Sequence, residues 1–155
     1  APDRVGRIVR RALRALPTLH LAVICGGNSG LHRRLSALNH PRLKAEGFIA
    51  PARVRRYFRG ADLIIGKPGP GVVSEAVVCG VPYVTERLKP MAQEVCVLDW
   101  LRDSGVGVLL PTLDRLPADL LDLAAVARER VQALSNRAVF EVADYMERII
   151  GVGVG

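Results

Sequence analysis

The sequence predicts an α/β domain with a mostly parallel sheet and helices on both faces. Short apolar runs alternate with amphipathic stretches along the whole chain. Most of those runs empty into a loop rich in Gly, Asn or Pro, the place where a parallel strand turns into its crossover helix. No repeat, low-complexity segment or internal linker interrupts the alternation, so 155 residues make one domain with a substantial core.

In order, "RVGRIVRRALRAL" places Val5, Ile8, Val9, Ala12, Leu13 and Leu16 at the spacing of a helix buried on one side. Arg4, Arg7, Arg10, Arg11 and Arg14 fall mostly on the opposite side, and Pro17 ends the helix. "LHLAVICGG" is nearly unbroken apolar sequence, the pattern of a strand covered on both faces. "LHRRLSAL" is expected as a helix, "LKAEGFIA" as the second strand, and "ARVRRYFRG" as a helix ending at Gly60. "DLIIG" is the third strand; a Gly-Pro turn leads into a helix over 72–79, and "PYVT" is the fourth strand. "MAQEVCVLDWLRDSG" is a helix with Gly105 as its stop, and "GVGVLL" is the fifth strand. Two helices close the chain, one with Pro117 in its first turn and one over 136–150. The domain is expected over 1–150, with 151–155 as a flexible tail.

Half of the residues are hydrophobic and 24% charged, which excludes a disordered chain. No apolar run approaches the roughly eighteen residues of a membrane span, and the arginine-rich N-terminus lacks the pattern of a signal peptide. Cys25, Cys79 and Cys96 are odd in number and far apart, which reads as buried free thiols in a reducing, cytoplasmic setting. Residues 1–60 carry thirteen Lys/Arg against two acids, and the remainder nine against thirteen. A basic half fits an anionic partner: nucleotide phosphate, an acidic membrane surface or nucleic acid. Aromatics are only 5% of the chain and interleave no basic strand, which argues against nucleic acid. The basic helix 4–16 reads either as a solvated outer face or as a peripheral contact with anionic membrane.

In parallel sheets, ligands sit beyond the carboxyl ends of the strands, and three loops there are chemically unusual: "CGGNSG", "GFIA" and "GKPGPG". The last opens a helix whose free N–H groups and dipole end suit an anion. Gly69 and Gly71 permit close approach of a phosphate, and Lys67 adds a positive charge. The same loop also reads as a rigid βα turn, since it is neither a P-loop nor a G-x-G-x-x-G fingerprint. Glu75, a turn into the helix, is either a carboxylate favoured by the helix N-terminus or an acceptor for the two hydroxyls of a ribose. Asn28 reads as a turn or N-cap residue or as a wall of the same crevice; Gln93 and Glu94 read as first-turn capping residues or ligand contacts. His20, His32 and His40 share no metal-binding spacing, and no Asp-x-Asp pair occurs, so no metal or other cofactor is expected.

"VICGGNSGL", "LKAEGFI", "LIIGKPGPGVVSEAVVCGVPYV" and "AQEVCVLDWLRDSGVGVLL", in that order and spacing, resemble the C-terminal, donor-binding domain of GT-B-fold glycosyltransferases. The closest resemblance is to the monogalactosyldiacylglycerol synthase and processive diacylglycerol glucosyltransferase family, related to the lipid-linked N-acetylglucosaminyltransferase of peptidoglycan synthesis. It covers nearly the whole chain, including the ending "NRAVFEVADYMERI".

The resemblance implies a Rossmann-like half of a GT-B fold that binds a UDP-sugar. The backbone at Phe48 and Ile49 would read uracil, and Glu75 the ribose hydroxyls. Pro70, Gly71, Val72 and Val73 would present the diphosphate site, with Gly26, Asn28 and Lys67 lining it and Gln93 and Glu94 near the sugar. An acceptor hydroxyl would attack the anomeric carbon while UDP leaves, stabilised by the helix N-terminus rather than by a metal. The family often carries Asn four residues after the Gln of its Gln-Glu pair; Val97 stands there.

The general base and the lipid acceptor site belong in such enzymes to an N-terminal domain, so the catalytic residues are unknown from these residues. The chain also starts on a helix, without the strand and Gly-rich loop that would open the donor domain. A C-terminal fragment lacking its first strand is therefore expected, inactive alone, with a peripheral place on the cytoplasmic membrane face. In the common 3-2-1-4-5-6 order that strand is central, so the sheet would close over the gap or leave an edge exposed. Other readings are a UDP-N-acetylglucosamine 2-epimerase-like enzyme and a non-catalytic nucleotide- or anion-binding module.

Overall fold

The computed structural model describes residues 3–87 and 91–134, together with Tyr145, Arg148 and Ile149. The closing helix expected over 136–150, apart from those three residues, and the tail 151–155 lie outside the described residues. What is described is an α/β chain: α1 (Arg4–Ala15), β1 (Leu21–Ile24), α2 (Ser29–Ser36), β2 (Leu43–Glu46), α3 (Pro51–Gly60), β3 (Ile64–Ile65), α4 (Pro70–Val78), β4 (Tyr83–Glu86), α5 (Ala92–Ser104), β5 (Gly107–Leu110) and α6 (Leu120–Ala133). Every strand pair is parallel.

The strands form two sheets rather than one. β1 pairs with β2, and β3–β4–β5 form the other sheet. Helix α1 lies across both. Val9 and Leu13 pack with Leu31 and Leu35 of α2 over Leu21, Val23, Leu43 and Ala45. On its neighbouring side, Ala12 and Leu16 pack with Val84, Leu110 and Leu120. The opposite face of the three-stranded sheet is filled by Phe58, Val73, Ala76, Tyr83, Leu101, Val106 and Val131, so α3, α4, α5 and the end of α6 cover it. The helical spacing of α1 thus serves two cores at once. Val5, expected on the buried side, is 44% exposed because it precedes both contacts.

Ion pairs fix the direction of α1. Asp3 caps its start, accepting from the Gly6 amide at 2.9 Å, and pairs with Arg34 of α2 at 3.2 Å. Arg4 donates from Nη1 and Nη2 to the two oxygens of Glu86 at the end of β4, each at 2.6 Å, and from Nε to Asp114 at 3.2 Å. At the other end, Arg42, just before β2, donates to the carbonyls of Leu13, Leu16 and Leu19 at 2.6, 2.8 and 3.0 Å. A guanidinium at a helix C-terminus satisfies carbonyls that have no partner in the helix. The N-terminus of α1 therefore stands at the carboxyl ends of both sheets, and its C-terminus at their starts.

Several expectations need correction. β1 is not covered on both faces: Ala22 is exposed and Ile24 is 38% exposed, because only the α1–α2 side is packed. The second strand stops at Glu46, leaving Gly47–Ala50 as a loop, and the third is only two residues long. α4 starts at Pro70 rather than at 72, since proline suits a first helical position. Pro117 stands three residues ahead of α6, in the preceding turn. Cys25 is buried, but Cys79 is half-buried and Cys96 exposed on α5; all three are free. Gly105 does end α5, at φ 67°, and Gly80 follows α4 at φ 72°.

Two predictions follow from these contacts. The bidentate contact with Arg4, helped by the Leu113 amide, holds the Glu86 carboxyl below its usual range despite desolvation. A carboxylate of lowered pKa contributes stability above its unfolded value of roughly 4.3, and that contribution disappears as pH falls through the folded value. Glu86→Gln should cost about 1–2 kcal/mol at pH 7, well under a fully buried pair because Arg4 is 39% exposed. In urea denaturation, wild type and variant should converge as the pH drops below about 4; a constant difference would refute the role of the charge. The second concerns Tyr83, buried between β4 and the turn after β3, whose hydroxyl donates to the Lys67 carbonyl at 2.6 Å. A Cβ on Gly66 would lie 2.5 Å from that hydroxyl. Gly66→Ala should destabilise by about 1–3 kcal/mol, and Tyr83→Phe by about 1 kcal/mol. The double variant should lose less than their sum, because the clash disappears with the hydroxyl.

Candidate functional site

The loops after β1, β2 and β3 leave carboxyl ends, as parallel strands feeding helices require. After β1, Gly26 adopts φ 55°, which turns the chain towards Asn28. Asn28 is the N-cap of α2, its side-chain oxygen accepting from the Leu31 amide at 2.9 Å. The capping alternative for Asn28 is thus present in the structure.

After β2, the loop 47–50 is held at its base by Glu46. That carboxylate, buried at the end of β2, receives Arg53 Nη2 at 2.5 Å and the hydroxyl of Tyr57, with Lys44 Nζ at 3.7 Å. The Tyr57 hydrogen bond foremost, then Arg53 and Lys44, lowers the Glu46 pKa against desolvation. Both anchors belong to α3, so the loop is bridged from strand to helix. Phe48 projects from it, 87% exposed, and Ile49 is half-buried.

After β3, the Lys67 carbonyl accepts both the Tyr83 hydroxyl and the Gly69 amide, the latter at 2.8 Å. The turn is therefore pinned to β4. Gly69 is the N-cap of α4 and no side chain caps the helix. Of the four residues expected to present N–H groups, Pro70 has none and Val73 spends its own on the Gly69 carbonyl at 3.1 Å. Gly71 and Val72 are left with first-turn amides that the helix cannot satisfy from its own ladder. Lys67 is exposed beside them and close enough to Glu86 to act on its charge.

Glu75 sits at the sixth helical position, about a turn and a half into the helix, because the helix begins at Pro70. It is exposed, and among the described residues no hydrogen bond or ion pair engages its carboxylate. At 1.5 Å rise per residue it stands roughly 4.5–6 Å along the helix from the free amides. Gln93 is exposed at the start of α5, whereas Glu94 is 5% exposed and accepts from the Met91 amide at 2.9 Å, capping its own helix. Of this pair, Gln93 alone is open to solvent.

The Arg4–Glu86–Asp114 and Glu46–Arg53–Tyr57 clusters were not singled out from sequence. Their signal is faint: isolated acids at the ends of apolar runs, with partners distant in sequence for Glu86 and seven and eleven residues on, in the next helix, for Glu46. The basic face of α1 is partly spent on such pairs. Arg7 pairs with Asp114, Arg10 with Asp3, and Arg11 donates to the Asp114 carbonyl. A shallow cleft of about 200 Å³ beside α5, lined by Arg87, Val95, Leu98, Asp99, Arg102 and Leu109, shares no residue with the three loops. No helix among the described residues is long and apolar enough to cross a membrane.

No protein-family model matches the chain. Curated proteins do. It is 28% identical over 124 residues to monogalactosyldiacylglycerol synthase 3 of Arabidopsis thaliana, covering 79% of this chain and 26% of that protein. It is 30% identical over 110 residues to the processive diacylglycerol beta-glucosyltransferase of Bacillus subtilis (strain 168), covering 69% and 28%. It is 36% identical over 93 residues to a probable monogalactosyldiacylglycerol synthase 3 of Oryza sativa subsp. japonica, covering 59% and 18%. The matched stretch thus spans about a quarter or less of the length of these relatives. With its parallel α/β fold, the chain belongs with the monogalactosyldiacylglycerol synthases and processive diacylglycerol glucosyltransferases, as the homologue of one segment of those glycosyltransferases.

Proposed function

We propose that the chain is the donor-nucleotide domain of a UDP-sugar-dependent glycosyltransferase that transfers a hexose to a lipid acceptor. The observation that carries this reading is the start of α4: two uncapped amides, Gly71 and Val72, with an unengaged carboxylate, Glu75, about a turn further on. A helix N-terminus attracts an anion, and a carboxylate attracts hydroxyls. A diphosphate and a ribose offer both within one molecule.

On this reading the diphosphate rests on the Gly71 and Val72 amides with Lys67 beside it. Glu75 accepts hydrogen bonds from the ribose hydroxyls. The loop carrying Phe48 and Ile49, braced by Glu46, meets the base. Gly26 lines the phosphate side, and Gln93 reaches towards the sugar. As the acceptor oxygen bonds to the anomeric carbon, the bond to the β-phosphate oxygen breaks and negative charge grows on the departing UDP. Amides already aimed at that position stabilise it without rearrangement. The base that takes the acceptor proton belongs to the acceptor-binding domain. The protein works peripherally on the cytoplasmic membrane face, with its basic half towards anionic lipid. That the curated relatives are named for transfer to diacylglycerol supports a glycerolipid as acceptor.

Calorimetric titration of UDP and of ADP into wild type and Glu75→Ala tests the assignment. UDP should bind more tightly than ADP, and the substitution should weaken UDP about tenfold, roughly 1.4 kcal/mol. Equal affinities for the two nucleotides, or indifference to the loss of Glu75, would overturn it.

A further inference from the structure

Residue 46 joins three parts of the fold. Its carbonyl accepts the Cys25 amide at 2.8 Å, which holds the end of β1 just ahead of Gly26. Its carboxylate is buried, and one oxygen, Oε1, receives Arg53 Nη2 at 2.5 Å and the Tyr57 hydroxyl, with Lys44 Nζ at 3.7 Å. Arg53 and Tyr57 stand four residues apart on α3, so one face of that helix is clamped to the end of β2. The loop between has little hold of its own. Among the described residues no hydrogen bond engages the backbone of Gly47, Phe48 or Ile49. The Ala50 carbonyl accepts the Arg53 and Val54 amides and so already belongs to α3. Towards α2 only van der Waals contact is available: a Cβ on Gly47 would stand 3.8 Å from His32 Nδ1. The place of the loop is therefore set by its two ends, and the Glu46 carboxylate binds one to the other.

We propose that Glu46, with Arg53 and Tyr57, is a positioning residue that sets which base the site prefers. It rests on the donor-site reading and adds to it the group that makes the base loop selective. One edge of uracil presents an acceptor, a donor and an acceptor in that order, and free peptide N–H and C=O groups can match it. The match holds only at hydrogen-bond distances of about 2.7–3.2 Å, so a shift of about 1 Å loses it. Four residues without bonds of their own cannot keep that place; a clamp at their base can. Adenine presents a different order of donors and acceptors, so a loop out of place loses the preference between the bases. The phosphates are unaffected, because the Gly71 and Val72 amides belong to the other sheet. The clamp calls for a carboxylate. Two cations and a hydroxyl converge on one oxygen, which an anion accepts more strongly than an amide carbonyl does.

Calorimetric titration of UDP, ADP and inorganic pyrophosphate tests this on wild type, Glu46→Gln and Tyr57→Phe, together with the 15N heteronuclear NOE of the Phe48 and Ile49 amides. Glu46→Gln should weaken UDP about tenfold and Tyr57→Phe about threefold, while ADP and pyrophosphate change by less than about twofold. The NOE of both loop amides should fall in each variant. Tyr57→Phe removes a single hydroxyl from the helix side, so it carries the test if Glu46→Gln does not fold. Gly105→Ala supplies the control for lost stability. It strains the φ 67° stop of α5, at the opposite end of the sheet from the loops, and should lower the melting temperature without changing the UDP-to-ADP ratio. A wild-type preference for UDP that survives both clamp variants overturns the proposal and leaves the donor-site reading standing. So does a loss of pyrophosphate affinity equal to that of UDP, an unchanged NOE, or a ratio that falls as far in Gly105→Ala. A wild type without preference for UDP overturns the donor-site reading, and this proposal with it.

Discussion

Everything in this chain hangs on α1, whose apolar side must satisfy two sheets that do not touch through hydrogen bonds. Val9 and Leu13 close the core over β1 and β2; Ala12 and Leu16 close the one over β3–β5. A single i, i+3, i+4 stripe is wide enough for this because successive stripe residues lean to opposite sides of its midline. Its two ends are then fixed by charge, Asp3 and Arg4 at one and Arg42 at the other. The sheets acquire a common direction through the helix rather than through each other.

That arrangement explains why so much of the basic half is not a free surface. Arg4, Arg7, Arg10, Arg34 and Arg42 hold α1 to the acids Asp3, Glu86 and Asp114 and to helix carbonyls. The excess that remains on α2 and α3, where Arg33, Arg55, Arg56 and Arg59 are exposed or half-exposed, is the share available to an anionic partner. Net charge counted from sequence overstates that share, because pairing is a property of the fold.

What was legible in the sequence divides along the same line. Features set by local chemistry were readable: the α1 stripe ended by Pro17, the stop at Gly105, the Gly-Pro turn feeding α4, and the parallel α/β order. So was the dilemma of a sheet that must close over a gap or leave an edge. The described strands form two sheets with no ladder between β1 and β3. Features set by distant partners were not readable. An apolar run such as "LAVI" looks the same whether one face or two are covered, and Ile24 shows that one is. Glu94 reads as a possible ligand contact until its burial and its bond to the Met91 amide are seen. The three candidate loops were legible, but their spare hydrogen-bonding capacity was not. Only the start of α4 at Pro70 shows that Gly71 and Val72, rather than Pro70 and Val73, hold the unspent amides.

The loops of the candidate nucleotide site are carried by two different sheets. Gly26 and Asn28 follow β1, and Gly66 to Gly71 follow β3, so the two loops proposed to meet the phosphates have no hydrogen-bonded ladder between their strands. Within the β3–β5 sheet, the second loop is tied down by Tyr83 on the Lys67 carbonyl. The first is carried by a two-stranded sheet, and pairs of strands are weak platforms without further neighbours. The separation between the loops therefore depends on side-chain packing under α1, which yields more readily than a hydrogen-bonded ladder. A diphosphate held between the loops, as proposed, would have to fix their separation, and an anion site that is already assembled spends less of its binding energy on ordering.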